Sequence, residues 1–498
     1  MKNQSPGLYI TEADQSAYTP AQSSAILGMV ATASKGPVNE LTLITDEASL
    51  IATFGQPSST HIALLSAMGY LRRGNSLWFV RVAHYDATAQ SVFKNVASVS
   101  VGTIDAVSSG SWANKVTVVV GTGTKAGTYK LTVKDNGTTV EVYDLLKVGA
   151  ANVTDQNYLV TRVNGISNYI SIVLTSVSES LKLETLSVLG GDDGVPVSAS
   201  DYVGSAGSPP TVPATGLHLF DSAEAIDIDL LAIPGITDAS VIAAGVTLAE
   251  DRGDCLYIID TPQNLSVAEA VEWTDTTNLN SSYAAVFYPW LKVLNTATNE
   301  NTWIPPSGHI AGIMAHNDTV QNIWDAPAGD PVGRLTDVQA LEYSPTQGDR
   351  EFMYGNGNVV NPIVSFRGQG IIVWGQRTTQ RLPTARDRIN VRRLLIMLKK
   401  SLGDGLRTLV FRPDNASTWQ QYINICTPIL AAVQAGGGLF ATDSVNGYRV
   451  ICDTTTNTVQ MRQNGIIVGN ILIVATKTGE VVALNLTTVN SITAFVEA

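Results

Sequence analysis

Few residues in this sequence are placed to do chemistry. His309 and His316, in SGHIAGIMAHND, stand seven apart and could share one helix face, with Asp318 beside them as a third metal ligand. Neither a third histidine nor an HExxH pattern accompanies them, so capping or packing is their expected role. Cys255 is a nucleophile by residue type, but no histidine lies near it in sequence to take its proton, which leaves a buried thiol. Asp192 and Asp193, in GGDDG, could hold a cation; without the spaced oxygen ligands of a calcium loop they read as a turn at a domain boundary. Gly368 and Gly370 fall between two strand-like runs, where a turn or bulge is needed, and not ahead of a helix, where a cofactor loop would sit. The loop PGITDAS, after a strand ending at Ile233, carries neither a dinucleotide nor a phosphate-loop pattern. No catalytic residue, metal or cofactor is expected.

Charge singles out a different region. Between Arg381 and Arg412 nine basic residues face two acids, while the whole chain carries a formal net charge of -12. This basic stretch opposes the field of the rest, and suits either a solvated helix face or a dock for an acidic partner, including the acidic body of a neighbouring copy. Nucleic acid is disfavoured, because the total charge has the wrong sign and no aromatic residues interleave the cations.

The elements that must position these groups can be read from periodicity. At 498 residues, 44% hydrophobic and only 15% charged, the chain has enough apolar residues for three or four domains and leaves much neutral surface for partners. Cys255, Cys426 and Cys452 are too far apart for a metal or disulfide framework. The start lacks a signal-peptide core and no run of about 18 apolar residues occurs, so a protein made and assembled in a cytoplasm, without membrane insertion, is expected.

SAILGMVATASKGP predicts a buried strand and a loop, TDEASLIATFG a helix capped by Asp46 and stopped by Gly55, and THIALLSAMGYLRRG another helix leading into the strand SLWFVRVA. From Asp86 to Val188 the texture turns to Val, Thr, Ser and Gly; Tyr129, Leu131 and Val133 alternate ahead of Asp135-Asn136-Gly137, and Val140 and Val142 alternate after it, a hairpin signal. Strand, helix and strand return at IDIDLLAIPG, the helix capped by Asp238 and ended by Gly253, and CLYIIDTP. Residues 329–358 read as loops, and TARDRINVRRLLIMLKKSLGDG as a long helix with Val391, Leu394, Leu395, Leu398 and Leu402 on one face. The expected fold class is a multidomain α+β and α/β chain. It has a layered α/β domain (21–85 plus 195–360), an inserted β-rich domain (86–194), an α+β C-terminal domain (361–480) and strand-like arms at 1–20 and 481–498. The arms pose a problem: Leu8, Tyr9, Ile10 and Thr11 alternate like a half-buried strand with no hairpin partner, and Val482, Leu484 and Leu486 do the same at the other end. Their backbone groups need a sheet that the local sequence does not supply.

Several stretches, in order, resemble the contractile tail sheath proteins of bacteriophages and related tail-like particles: PGLYITE, LGMVATASKGPVNE, GGDDG followed by DYVG, IDLLAIPGITDASVIAAGV, YAAVFYPWLKV with WIPPSGHIAGIMAHND and APAG, SFRGQGIIVWGQRT, and DRINVRRLL. Arg386 departs from the family, which more often has a small or apolar residue there. The resemblance implies a non-catalytic subunit that polymerises as stacked hexameric rings around an inner tail tube and contracts on a baseplate trigger, in a virion tail assembled in the host bacterium. It implies as partners other copies of the chain, the tail tube protein, and baseplate and tail terminator proteins, with no nucleic acid. It further implies that the terminal arms add strands to neighbouring subunits, that the inserted domain lies outside, and that the helix from Thr384 to Leu402 faces the tube, with Lys399, Lys400 and Arg407 meeting acidic tube residues. The rival expectations are an α/β enzyme of unrecognised type and another self-assembling protein, capsid-like or of a surface layer.

Overall fold

A computed structural model describes residues 25–175, 180–208, 210–355, 357–442 and 445–480. The chain divides into two compact units, one running to Asp404 and one from Gly405.

The first unit is built on one mixed sheet. Its strands are β1 (Leu27–Ala31), β2 (Thr42–Ile44), β3 (Leu77–Arg81), β4 (Leu230–Ala232), β5 (Leu256–Asp260), β6 (Ala284–Tyr288), β7 (Arg334–Leu335), β8 (Val360–Phe366) and β9 (Gly370–Val373). They lie in the order β7-β9-β8-β6-β5-β4-β1-β3-β2. The six strands from β8 to β3 run parallel, with Leu27 opposite both Leu230 and Leu77, and Leu230 opposite Leu256; the edges are antiparallel. Both faces are covered, which is why these strands are near-continuous apolar runs. On one face Leu27, Met29, Phe79 and Phe287 pack beneath helices α1 (Glu47–Phe54), α2 (Ala63–Leu71) and α5 (Ser307–Val320). On the other, Val30, Val80, Tyr257 and Val286 pack beneath α3 (Ala239–Arg252), α4 (Val267–Thr276) and α6 (Gln347–Tyr354). Complete burial of each such side chain is worth about 1.5–3 kcal/mol.

The caps are where the sequence predicts them. Asp46 accepts from Ser49 N at 2.8 Å, Asp238 from Ser240 N at 2.9 Å, and Gly253 ends α3 in the left-handed conformation, φ 62°. Helices α2 and α5 touch backbone to backbone: a Cβ at Gly308 would lie 2.0 Å from the Ser66 carbonyl oxygen, and one at Gly69 would strike the His309 ring.

Residues 89–188 enclose an apolar core of their own, around Phe93, Ile104, Val118, Leu131 and Leu159. Two antiparallel sheets wrap it, one of strands 90–94, 100–106 and 170–174, the other of 116–122, 129–135, 138–146 and 185–187. Asn136 and Gly137, at φ 47° and 82°, make the two-residue turn joining Asp135 to Thr138. Register shifts in this hairpin leave Val140 and Val142 on the open face and turn Tyr143 and Leu146 inward.

Three sequence readings are corrected. The boundary expected at residue 361 cuts through β8, whose Val360, Asn361 and Pro362 pair with Val286, Phe287 and Tyr288 in the main sheet; the division between units falls after Asp404. Residues 329–358, expected to be loops, contain β7, a strand Val338–Leu341 and α6, which Thr346 starts by accepting from Asp349 N. The segment ahead of Asn446, to which the sequence assigns no element, contains the longest described helix, α8 (Ala416–Ala435), with Pro428 inside it. α7 (Ile389–Leu406) precedes it.

In the second unit α8 is capped by Asn415 and buries Trp419, Cys426, Ile429, Leu430 and Val433. It packs on a two-stranded antiparallel sheet, Tyr448–Ile451 against Asn470–Ile473.

Candidate functional site

The carboxyl ends of the parallel strands, where α/β enzymes bind ligands, are occupied by the chain itself. Asp260, at the end of β5, accepts from Ser307 N at 2.8 Å, Ser307 Oγ at 2.7 Å and Gly235 N at 3.1 Å. It thereby satisfies the first turn of α5 and the loop after β4, the positions that a bound anion would otherwise use. Burial pushes its carboxyl up to about 6, against the pull of those three donors.

The other chemical candidates are structural. His309 is buried and its Nε2 lies 2.9 Å from Asp337, which also receives Arg72 at 2.6 Å. Burial alone would raise the Asp337 carboxyl, but His309 and Arg72 outweigh it and hold it well below the usual range. Asp318, the supposed third metal ligand, pairs with Arg393, and among the described residues no three metal-ligating side chains cluster. The Cys255 thiol is fully buried and its pKa is raised by that burial to about 12, so a thiolate nucleophile is not formed. Asp193 accepts from the backbone and hydroxyl of Ser111 at 2.7 and 2.6 Å, and Asp192 pairs with Ala87 across the two chain crossings at the base of the 89–188 core.

The basic stretch is largely folded inward. Arg381 pairs with Asp275, Arg388 with Asp387 and Arg393 with Asp318, while Arg392 stacks over Tyr283 at 4.1 Å. Lys400 contacts Asp227 at 2.6 Å, Asp229 at 2.7 Å and the Ile228 carbonyl at 3.0 Å. Burial works against its ammonium, but Asp229 and Asp227 prevail and raise its pKa. Lys399 lies 3.3 Å from the Gly253 carbonyl, at the stop of α3. Both lysines expected at a tube are therefore engaged within their own unit, because α7 returns against the acidic ends of α3 and the 227–229 loop; no local signal in the sequence announces that pairing. Arg407 is exposed, on a 3₁₀ turn of the second unit. Leu8, Tyr9, Ile10, Thr11, Val482, Leu484 and Leu486 lie outside the described residues.

The least self-sufficient element is the sheet of the second unit. Two strands alone are marginal in water, and among the described residues no third strand joins them; only a bridge between Leu439 and Ala475 extends the pairing beyond the end of the second strand. Val474 donates to the Gly447 carbonyl and accepts from Phe440 N, both at 2.8 Å, so alternate residues Ile471 and Ile473 turn their backbone groups toward the open side. Leu472 and Val474 remain more than half exposed, at 58% and 56%, beside Phe440 at 59%. Unpaired strand edges with uncovered apolar side chains are the kind of surface to which further strands can add.

The first unit is thus a layered α/β body whose strand ends are filled by its own side chains, and the second holds a two-stranded sheet. Residues 212–379 match the phage tail sheath protein central domain, and residues 24–82 match the N-terminal region of domain III of tail sheath protein Gp18. The tail sheath protein of Enterobacteria phage T4 is 30% identical over 261 residues, 48% of this chain and 38% of that protein. The tail sheath protein of Vibrio phage KVP40 is 27% identical over 296 residues, 52% of this chain and 43% of that protein. The matched part thus spans about two fifths of these relatives. In fold, the chain is similar to a sheath tail protein from Desulfitobacterium hafniense, with a TM-score of 0.60 at 14% identity, covering 90% of this chain and 94% of that one. It is likewise similar to the sheath of an extracellular contractile injection system in its contracted state, with a TM-score of 0.58 at 16% identity and 99% coverage of both. Over these segments the chain is similar to the phage tail sheath proteins.

Proposed function

We propose that the chain is the subunit of a contractile tail sheath, polymerising as stacked hexameric rings around a tail tube and shortening to drive that tube through a host envelope. Copies of the chain, the tube protein, baseplate and tail terminator proteins are its partners. The observation that carries this reading is the two-stranded sheet of the second unit, which no third strand joins among the described residues, in a chain that carries alternating apolar segments near both ends of the given sequence. The Leu8–Thr11 segment of one neighbour and the Val482–Leu486 segment of another would extend that sheet. Backbone hydrogen bonds contribute about 1 kcal/mol each, so a few per arm hold copies together while larger faces rearrange. The similarity to a sheath in its contracted state supports a role in shortening.

The test is electron microscopy of the overexpressed protein, which should show hollow cylinders. Removing residues 1–20 should leave folded, soluble monomers that form none. Shells or flat lattices would favour a capsid-like or surface protein, and normal cylinders from the truncated chain would reject strand exchange by the N-terminal arm.

A further inference from the structure

One corner of the first unit gathers aromatic residues and arginines, partly exposed, that form no ion pair among the described residues. It lies where α6 meets the hairpin of β8 and β9. Arg350 sits over the Phe366 ring at 5.4 Å, and Phe366 meets Trp374 edge to face at 4.7 Å. Arg377 sits over Tyr354 at 4.4 Å, and Tyr354 Oη accepts from Gln376 N at 3.2 Å, tying the second stack to the end of the same hairpin. Trp374 is 44% exposed and Arg367, at the hairpin turn, is exposed.

The charges here differ from those elsewhere. Arg72, Arg81, Arg252, Arg334, Arg381 and Arg393 each reach a carboxylate. Arg350, Arg367 and Arg377 reach none among the described residues: Arg350 donates only to the Pro345 carbonyl, at 3.2 Å, and Arg377 Nε is buried without an acceptor. Of the two acids flanking Arg350 on α6, Asp349 is bonded to the Thr346 cap and the Tyr343 hydroxyl and feels Arg350 only through space, and Glu351 accepts from Gln347 at 3.0 Å. Trp, Tyr and Arg are the residue types that dominate binding hot spots. Here the rings are held by stacking before any partner arrives, so little side-chain freedom remains to be lost on contact.

We propose that this corner, centred on Trp374 with Arg350, Arg367 and Arg377 around it, docks onto carboxylates of a second copy of the chain. The proposal rests on the sheath reading for its biological setting. Its physical ground is charge complementarity: a net-positive, aromatic patch on a molecule of net charge -12 finds the opposite sign on the body of any other copy. Patch and target are different surfaces, so the contact is head-to-tail and propagates into a polymer instead of closing a symmetric dimer.

The test compares the full chain with Trp374→Ala and Arg367→Glu by sedimentation velocity over a range of concentration and salt, with electron microscopy of the same samples. Both side chains are at the surface, and an unchanged far-ultraviolet circular dichroism spectrum and thermal midpoint check the monomer. Either change should raise the concentration at which assemblies appear about tenfold, and Arg367→Glu should flatten its salt dependence. Equal association of wild type and both variants overturns the proposal, as does a wild type that stays monomeric at every concentration. Non-tubular wild-type assemblies that the variants lose would uphold this contact while rejecting the sheath reading.

Discussion

Lys400→Met separates two views of the basic helix. In the structure the Lys400 ammonium holds two carboxylates, and removing it leaves both uncompensated. Asp227 is 63% exposed and water can replace the lost partner, so its share is a few tenths of a kcal/mol. Asp229 is only 18% exposed and keeps its donor from Ile26 N, at 2.9 Å, so most of the cost falls there. Breaking a buried pair from one side costs about 3–5 kcal/mol; with the lysine itself 17% exposed, about 3 kcal/mol is the reasonable figure. Unfolding entropy is about 2 cal/mol/K per residue, so in a unit running to Asp404 that loss lowers the melting midpoint by about 4 °C. Differential scanning calorimetry of the monomer measures it, with urea denaturation as a second route. A variant whose monomer melts like wild type but no longer assembles would refute the internal pairing and return Lys400 to a partner-facing role.

Asp260 supplies a prediction in pH. Its folded pKa, about 6, lies above the roughly 3.9 of an unfolded aspartate, so the folded state binds the extra proton. Its contribution is therefore present below about pH 4 and is lost as pH rises to about 6, a change of about 3 kcal/mol at 1.36 kcal/mol per unit. Asp260→Asn should flatten the stability profile between pH 4 and 6 relative to wild type, and parallel profiles would contradict the assignment. Gly308→Ala places a methyl against the Ser66 carbonyl and should destabilise by about 2–3 kcal/mol, read in denaturant midpoints; an unchanged midpoint would mean that the two helices can part.

Local rules carried the sequence reading wherever one residue does the work. Asp46, Asp238 and Gly253 bound their helices through caps formed within four residues, and Asn136-Gly137 makes its turn because both residues tolerate a positive φ. What was illegible depends on distant parts of the chain. Nothing near Val360 says that it pairs with Val286 in the main sheet, and nothing near Lys400 says that Asp229 waits 171 residues earlier. Helix α8 escaped because Pro428 breaks its donor sequence and several of its residues are β-branched, so that burial of Trp419, Ile429 and Leu430 decides the matter in place of propensity. The Arg350, Phe366 and Trp374 stack was missed for a similar reason: its members come together only when α6 lies against the hairpin.

The joint between α2 and α5 sets a mechanical limit. Helices that slide past one another do so by exchanging side-chain rotamers across a layer of intervening atoms, and at Gly308 and Gly312 that layer is missing. With main chain resting on main chain there is no lubricating stratum, and shear would drive carbonyls into Cα atoms. These two helices are welded, and any displacement that copies of the protein undergo must be taken up elsewhere, in linkers and at outer faces.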